Sequence, residues 1–511
     1  MSPQADKPEV LLIQPGEETD YYLIPMGLLY VAQALREAGV EVTIFDMRKS
    51  RITDLPLRRY LFAGITMMTG KMIKHGLRAA RMIREYDPRI PIVLGGVHPS
   101  MLPEQTLRHE LADIVVVGEG EETAKEIARS LLGDGDLSEI KGIGYKGNGN
   151  PITMNPRREF IDLNETSMDL PHDLLGIDFQ GARAFPINTS RGCPYRCGFC
   201  YNQSFNKRSF RYKSATRIVD EVEYYIKKYD IPSFSFGFED EFFSKPSRVR
   251  EMADLILSRD LKITWGSFCR FDSFEKIDDH SLKLLKRSGC KSLFFGAESG
   301  SQRILDEVIK KDITTEQVVR GVERLKRADI FHLVSFMCCL PTETQEDLDA
   351  TFALIDRIAE NNSKLFINGI FVYFPIPGTP LFDMVKNGYD LEFPDCLEGW
   401  AEYEMPSASI SRIPWHPAKY ARRCRNLYQM SLYPFHHDIT SYGAYRQLTT
   451  THTSYRRSYV HYLMARMQRW RWKNRNLEFP LELLMSEKIR EMTPALRRGY
   501  RMAKKVRAHL R

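Results

Sequence analysis

Two successive runs of short apolar strands, alternating with helical stretches, constrain this chain more than any other feature. In the first run Val10–Gln14, Val42–Phe45, Phe62–Thr66, Ile92–Leu94 and Ile114–Val117 read as strands. Between them, Gly27–Ala38 carries apolar residues at helical spacing and stops at Gly39, and Met72–Tyr86 ends at Asp87-Pro88. Such alternation predicts a parallel, doubly wound α/β sheet with ligands at the carboxyl ends of its strands. The second run offers strands at Phe185–Thr189, Ser233–Phe238, Ile263–Phe268, Ser292–Phe295, His332–Cys338 and Leu365–Phe371. Helical stretches such as Ala215–Tyr229, Arg248–Ser258 and Gln345–Glu360 separate them. Six β/α units predict a partial or full barrel with its chemistry at the C-terminal mouth. Residues 136–180, rich in Gly, Asn, Pro and Asp, read as an irregular linker, and beyond about residue 380 the pattern gives way to a Tyr- and Arg-rich, mainly helical region.

A chain of 511 residues is expected to hold two or three domains. No apolar run approaches the ~18 residues of a membrane span. The polar Met1–Val10 lacks the apolar stretch of a secretory leader, so a cytoplasmic location is expected. The net charge of +7 hides an asymmetry: Ala421–Arg511 carries 20 Lys and Arg against 5 Asp and Glu, a net of +15, which leaves −8 for residues 1–420. A split of this kind predicts contact with an anionic partner.

Nine cysteines make no disulfide framework, but three crowd into Cys193-Pro-Tyr-Arg-Cys197-Gly-Phe-Cys200, directly after a predicted strand. Three thiolates at this spacing suit three irons of a [4Fe–4S] cube. The loop holds no fourth ligand, so one iron is left open for a substrate or cofactor. A zinc site would want a fourth nearby Cys or His, and the next cysteine downstream is Cys269. Cys269, Cys290, Cys338, Cys339, Cys396 and Cys424 read as packed rather than catalytic.

The spacing, with aromatic Phe199 before the last cysteine, resembles the radical S-adenosylmethionine (SAM) superfamily over about residues 183–380. The resemblance implies a TIM-type β/α barrel. It also implies that the open iron is chelated by the amino and carboxylate groups of SAM, and that an electron from the cluster cleaves SAM to a 5′-deoxyadenosyl radical that abstracts hydrogen. Gly296-Ala297-Glu298-Ser299-Gly300 looks like the family's G-x-E-S element, with Glu298 accepting ribose hydroxyls and Ser299 beside it. The acidic turn Phe238-Glu239-Asp240-Glu241-Phe242 is similar to the one that meets the SAM ammonium; position favours Glu239 among its three acids. Arg270, in Cys269-Arg270-Phe271-Asp272, resembles the family's Arg-x-Asp, which implies a place for it at SAM. Leu340-Pro341-Thr342-Glu343-Thr344 resembles its G-L-P-x-E-T turn with Cys339 in place of Gly, and Pro377–Leu381 its closing segment.

The first α/β run resembles the Rossmann-like cobalamin-binding domain that precedes the barrel in one class of these enzymes. That implies a cobalamin lined by strand-end residues: Pro25, Gly27, Asp46, Thr66, Gly95, Gly96, His98, Gly118 and Gly120. Asp46 is followed by Met47 and Arg48, so the Asp-x-His-x-x-Gly cobalt-ligand motif is missing, which argues against a mutase but not against cobalamin. His98, alone and before a proline, reads as a loop-shaping or hydrogen-bonding residue rather than a metal ligand. The resulting division is 8–135 cobalamin-binding, 136–180 linker, 181–385 barrel and 386–511 basic and mainly helical.

The class implies a [4Fe–4S] cluster, SAM and cobalamin as cofactors, and methylation at an unactivated carbon of a small-molecule or lipid-like substrate. Oxidative ring closure, or an iron–sulfur RNA-modifying or RNA-binding role, are the alternatives. No cysteine precedes Cys193, which weighs against a methylthiotransferase. An electron donor such as flavodoxin or ferredoxin is implied. Arg466–Lys473 interleaves cations with Trp470 and Trp472, and Arg497–Arg511 reads as a basic amphipathic helix. Such segments lie on the inner face of an anionic membrane, bind RNA by stacking and phosphate contact, or form a solvated helical face packed on the barrel; membrane contact is expected ahead of nucleic acid.

Overall fold

The computed structural model describes all residues except 1–6, 19–22, 148–151, 183, 237–240, 404–412, 453–458, 479–481 and 483–511, and the backbone alone at 448–452. The chain divides into two compact units. One comprises residues 1–292, 309–312 and 374–405; the other comprises 293–308, 313–373 and 406–511.

The first unit is built on a seven-stranded sheet of β1 (Glu9–Gln14), β2 (Glu41–Asp46), β3 (Phe62–Thr66), β4 (Ile92–Gly95), β5 (Ile114–Val116), β6 (Ile143–Lys146) and β7 (Ile152–Met154). Its order is β2-β1-β3-β4-β5-β6-β7. Strands β1 to β5 pair in parallel, and β6 and β7 add antiparallel at the edge. The strands are apolar on both faces because helices cover both: Leu11, Ile13, Ala63 and Ile65 pack into one core, Val10, Leu12, Phe62 and Val93 into the other. The strand order reverses between β1 and β3, which opens a crevice outside their carboxyl ends. Strands β6 and β7 correct the reading of 136–180 as wholly irregular. They are four and three residues long and lie hidden among the Gly, Asn and Pro of residues 136–180.

The same unit carries β8 (Phe185–Ile187), the hairpin of β9 (Ser190–Arg191) and β10 (Arg211–Tyr212), then β11 (Ser233–Phe236), β12 (Thr264–Cys269) and the first residues of β13 (Cys290–Glu298). β11 pairs in parallel with β8 and with β12. In the second unit the rest of β13 is followed in sheet order by β14 (Phe331–Cys338) and β15 (Leu365–Val372), the last two parallel with a register shift at Val334/Ser335. These six barrel strands stand where the sequence pattern puts them. The helices between them begin on side-chain caps: Ser214 accepts from Arg217 N at Ala215–Tyr229, and Thr344 and Asp347 form a capping box at Gln345–Ala359. The second unit also holds the helices Ala418–Ser431, Tyr442–His452 and Tyr459–Lys473. The expected helix Arg497–Arg511 lies outside the described residues.

Five of the six cysteines read as packed are buried; Cys396 is exposed. It caps the short helix Leu397–Ala401, so its neighbour Leu397 takes the inward position instead.

His172 sits in an aromatic nest of Phe179, Phe185, Tyr225 and Tyr229, with ring centroids 5.3–6.0 Å away. Both its ring nitrogens are buried without a partner. Burial pushes its pKa down to about 4. The unfolded chain takes up this proton near pH 6.5 and the folded chain only near 4, so stability is lost as pH falls through that window, by ~3 kcal/mol at full effect. His172→Phe is expected to flatten the fall in melting temperature between pH 6.5 and 4; an unchanged slope would refute the assignment.

Candidate active site

The strand β9 delivers the chain into the cysteine loop through Gly192, whose φ is +81° and where a Cβ would lie 2.0 Å from the Ser209 carbonyl oxygen. Only glycine fits there. The loop is then held from several sides. Gly198 N donates to Ile309 O (2.7 Å), Leu381 N donates to Gly198 O (2.9 Å), and Gln203 Nε2 donates to Cys197 O (2.9 Å). Arg196 pairs with Asp312 at 2.7 Å. Cys197 is buried, and Cys193 and Cys200 are half-buried. Burial first, and then the charges of Glu241, Cys197 and Cys200, push the Cys193 thiol up to about 12. A metal must therefore displace its proton. Among the described residues no three His, Cys, Asp or Glu side chains converge on a point one ion could occupy. A cube takes each thiolate on a different iron. The donor set fits the cube. Gly192→Ala is expected to lower the iron retained after anaerobic reconstitution to below half that of the parent chain, and retention at the parent level would contradict this reading of the turn.

Arg270, directly after β12, is aimed at this loop. Its Nη1 donates to Cys197 Sγ (3.3 Å), its Nε donates to Asp272 Oδ1 (2.9 Å), and its Nη2 donates to the Lys311 carbonyl. The guanidinium lies 3.6 Å over the Tyr195 ring, whose hydroxyl is 2.8 Å from Ser273 Oγ. Glu241 is buried, accepts from Arg270 N at 3.4 Å, and is pushed up to about 7 by burial against the pull of Arg270. Glu239, favoured by sequence position, lies outside the described residues. Sequence reasoning missed Tyr195, hidden in the variable positions of the cysteine motif, and placed Arg270 with SAM without foreseeing its bond to Cys197.

In the second unit Glu298 ends β13, buried and with φ at +65°. Ser299 is fully buried and its Oγ accepts from Ser301 N (3.1 Å). Gly300 N donates to Thr351 Oγ1 (2.9 Å), and a Cβ on Gly300 would lie 2.3 Å from Ala350 O. Close packing on the helix Gln345–Ala359 thus sets the turn that carries Glu298. Cys339, standing where the family has glycine, adopts the left-handed conformation at φ +61°. Its N–H donates to Glu343 Oε2 (2.5 Å), which also accepts from the Tyr420 hydroxyl (3.0 Å).

At the strand ends of the first sheet, Gly27 is exposed and Gly118 (φ +94°) half-buried; an added Cβ would meet no atom within 4 Å at either. Gly96 (φ +96°) lets β4 lie against β3, since its Cβ would stand 2.8 Å from Met67 O and from Thr66 Oγ1. Gly95 follows the strand without strain, Gly120 packs on Val31, and Pro25 is buried ahead of the helix Met26–Glu37. Ser100 joins the ends of β4 and β5, its Oγ donating to Gly96 O (2.7 Å) and accepting from Gly118 N (3.0 Å). Asp46 is buried and paired with Arg48 at 2.7 Å. His98 is fully buried, its Nδ1 2.9 Å from Thr69 Oγ1, and its Nε2 has no partner. Burial holds it neutral by lowering its pKa to about 4. Its bond to Thr69 accords with a hydrogen-bonding rather than a ligating residue. Gly27, open after β1 at the reversal point, and Gly118, open after β5, with the unpartnered buried nitrogen of His98 on the turn after β4 between them, fit a large ligand with polar edges, as cobalamin is.

The turn Gly118-Glu119-Gly120-Glu121 is tied to the hairpin that enters the cysteine loop. Arg191 donates to Glu119 (3.0 Å) and pairs with Glu121 (2.6 Å), and Arg211 pairs with Glu119 at 2.7 Å. Tyr30 lies under the Arg191 guanidinium at 4.7 Å.

A radical SAM superfamily model matches residues 187–355 and a B12 binding domain model matches residues 16–128. The chain is 31% identical over 394 residues to an uncharacterized methyltransferase of Pyrococcus horikoshii, covering 73% of this chain and 82% of that protein. It is 27% identical over 369 residues to the anaerobic magnesium-protoporphyrin IX monomethyl ester cyclase of Rubrivivax gelatinosus, covering 68% of this chain and 65% of that one. Among solved structures, the cobalamin-dependent S-adenosylmethionine radical enzyme OxsB with aqua-cobalamin and SAM bound superposes with a TM-score of 0.68 at 17% identity, over 96% of this chain and 76% of that one.

Proposed function

The chain belongs to the radical SAM superfamily, in the branch that carries a B12-binding domain, and from that premise we propose that it methylates an unactivated carbon of a small-molecule substrate. When bound, the cluster and SAM supply a hydrogen-abstracting radical and cobalamin carries the methyl group. The chain's own residues have narrower tasks. Cys193, Cys197 and Cys200 would hold three irons, with Arg270 donating a hydrogen bond to Cys197 Sγ. Glu298 accepts the ribose hydroxyls of SAM, Ser299 fixes the turn that presents it, and an acid of the 239–241 turn meets the SAM ammonium. Gly27, Gly95, Gly96, Gly118 and Gly120, with Pro25, Asp46, Thr66 and His98, line the cobalamin. Residues 8–135 and 181–385 are the two cofactor modules, joined by 136–180 and followed by the basic region 386–511.

The observation that carries this reading is one loop of three thiols with a buried arginine on one sulfur, in a chain whose sheet leaves open glycine backbone at its reversal point. Anaerobic purification with iron, sulfide and hydroxocobalamin tests it. About four irons and one cobalt per chain are expected, and iron without cobalt would remove methylcobalamin chemistry. Ring closure, suggested by the likeness to the cyclase, is separated by counting S-adenosylhomocysteine, which methylation makes and cyclisation need not.

An electron donor of the flavodoxin or ferredoxin kind completes the system. A peripheral membrane role, with a lipid-like substrate, rests on the helix Tyr459–Lys473. Tyr459, Val460, Leu463, Met467 and Trp470 are exposed on it within an arc of about 100°, while Tyr462, Ala465, Gln468 and Trp472 are buried. Arg466 and Lys473 border the exposed arc, as on helices that lie in a lipid interface. Among the described residues no helix is long and apolar enough to cross a membrane. Flotation with anionic liposomes is expected to carry the full chain and not one stopped near residue 420; equal flotation would end this reading.

A further inference from the structure

Arg191 and Arg211 stand directly opposite each other in the hairpin that leads into the cysteine loop. Like charges so placed repel and would splay a two-residue ladder. One carboxylate bridges both. Glu119 Oε1 accepts from Arg191 Nη1 (3.0 Å) and Arg211 Nη2 (2.7 Å), and its Oε2 accepts from Arg211 Nη1 (3.1 Å). Its side chain is 9% exposed, and those of the two arginines are 16% and 17% exposed. Arg191 is also held by Glu121 and by the ring of Tyr30; Arg211 is also held by the Ile161 carbonyl (3.0 Å) and by the ring of Phe160 (4.3 Å).

Glu119 stands between Gly118 and Gly120, on the turn assigned above to cobalamin, and Arg191 stands one residue before Gly192 and two before Cys193. Gly192 transmits the hairpin's position to the loop, because its contact with Ser209 leaves no slack. We propose that Glu119 is a positioning residue that latches the cobalamin-side turn to the strand entering the cluster loop, so that filling either cofactor site raises the affinity of the other. The inference rests on the cobalamin and cluster reading of the two sites and adds to it a coupling between them. Such coupling is reciprocal, and typical values are about 5- to 150-fold.

Hydroxocobalamin is titrated, by visible absorption, into the full chain with its iron–sulfur cluster reconstituted and into the same chain stripped of iron by a chelator. The parent chain is expected to bind at least about 5-fold more tightly when the cluster is present. Glu119→Gln is expected to bring this ratio close to one, and Glu119→Asp to restore part of it. Glu126→Gln, which removes an ion pair to Arg158 on the helix Glu121–Leu131, is expected to leave the ratio at the parent value. If Glu119→Gln does not fold, Glu121→Gln releases one of the two carboxylates on Arg191 and is expected to lower the ratio in part. A Glu119→Gln chain that melts earlier but keeps the parent ratio has lost only a structural contact, and that overturns the latch. A parent ratio of one overturns it too. No cobalamin binding by the parent in either state would overturn the cofactor reading and the coupling together, whereas binding with an unaltered ratio overturns the coupling alone.

Discussion

Cys193, Cys197 and Cys200 replaced together by alanine are expected to leave a folded chain without iron and without SAM cleavage. The loop is anchored by main-chain bonds from Gly198 to Ile309 and Leu381, and by Arg196 on Asp312; none of these passes through a thiol. Two of the three sulfurs are only half-buried, so their removal opens little cavity. Iron should fall from about four per chain to none, while hydroxocobalamin at saturating concentration still binds, because its site is assigned to a different sheet. Circular dichroism and metal analysis on the same sample decide the matter. Retained iron would mean that other ligands hold the cluster. A collapsed circular dichroism spectrum would mean that the thiols are structural.

Glu221→Gln is expected to be among the most destabilising single changes that leave the cofactor residues untouched. Lys213 and Glu221 are almost entirely enclosed, with Nζ 2.7 and 2.9 Å from the two carboxylate oxygens, and Arg217 adds a bond of 3.0 Å to the same group. Neutralising the carboxylate leaves the lysine charge buried beneath Tyr30 without its counter-ion. Breaking one side of such a pair costs about 3–5 kcal/mol, a large share of the ~5–15 kcal/mol that holds a domain together. Urea unfolding of the apo chain measures the change. Lys213→Met combined with Glu221→Leu removes both charges and is expected to cost less than Glu221→Gln alone. If the double change costs as much as the single one, packing rather than charge sets the effect.

How far the chain could be read beforehand depends on where each signal resides. The barrel strands, three to nine residues long, were legible because helical stretches with strong caps set them off on either side; β6 and β7, no shorter than β11 and β8, have no such helices around them. They were hidden among the Gly, Asn and Pro of residues 136–180. The cysteine loop was legible because its ligands are close in sequence. Partners far apart in sequence were not: Arg270 meets Cys197 across 73 residues, and Glu119 meets Arg191 across 72. Nothing in either segment's pattern marks such a meeting. Cys339 lies between these cases. Its place in the G-L-P-x-E-T-like turn marked a departure from glycine, but its left-handed backbone and the hold of Glu343 on its N–H could be seen only in three dimensions.

The apolar stripe on Tyr459–Lys473 also bears on how the protein behaves as a colloid. Two copies that approach through this helix bring together its bordering cations, Arg466 and Lys473, so at low ionic strength their repulsion keeps the stripes apart. At 0.1 M salt that repulsion reaches only about 10 Å, and at 1 M about 3 Å. Added salt therefore exposes the stripes to one another, and concentrated solutions should cloud as ionic strength rises rather than clear.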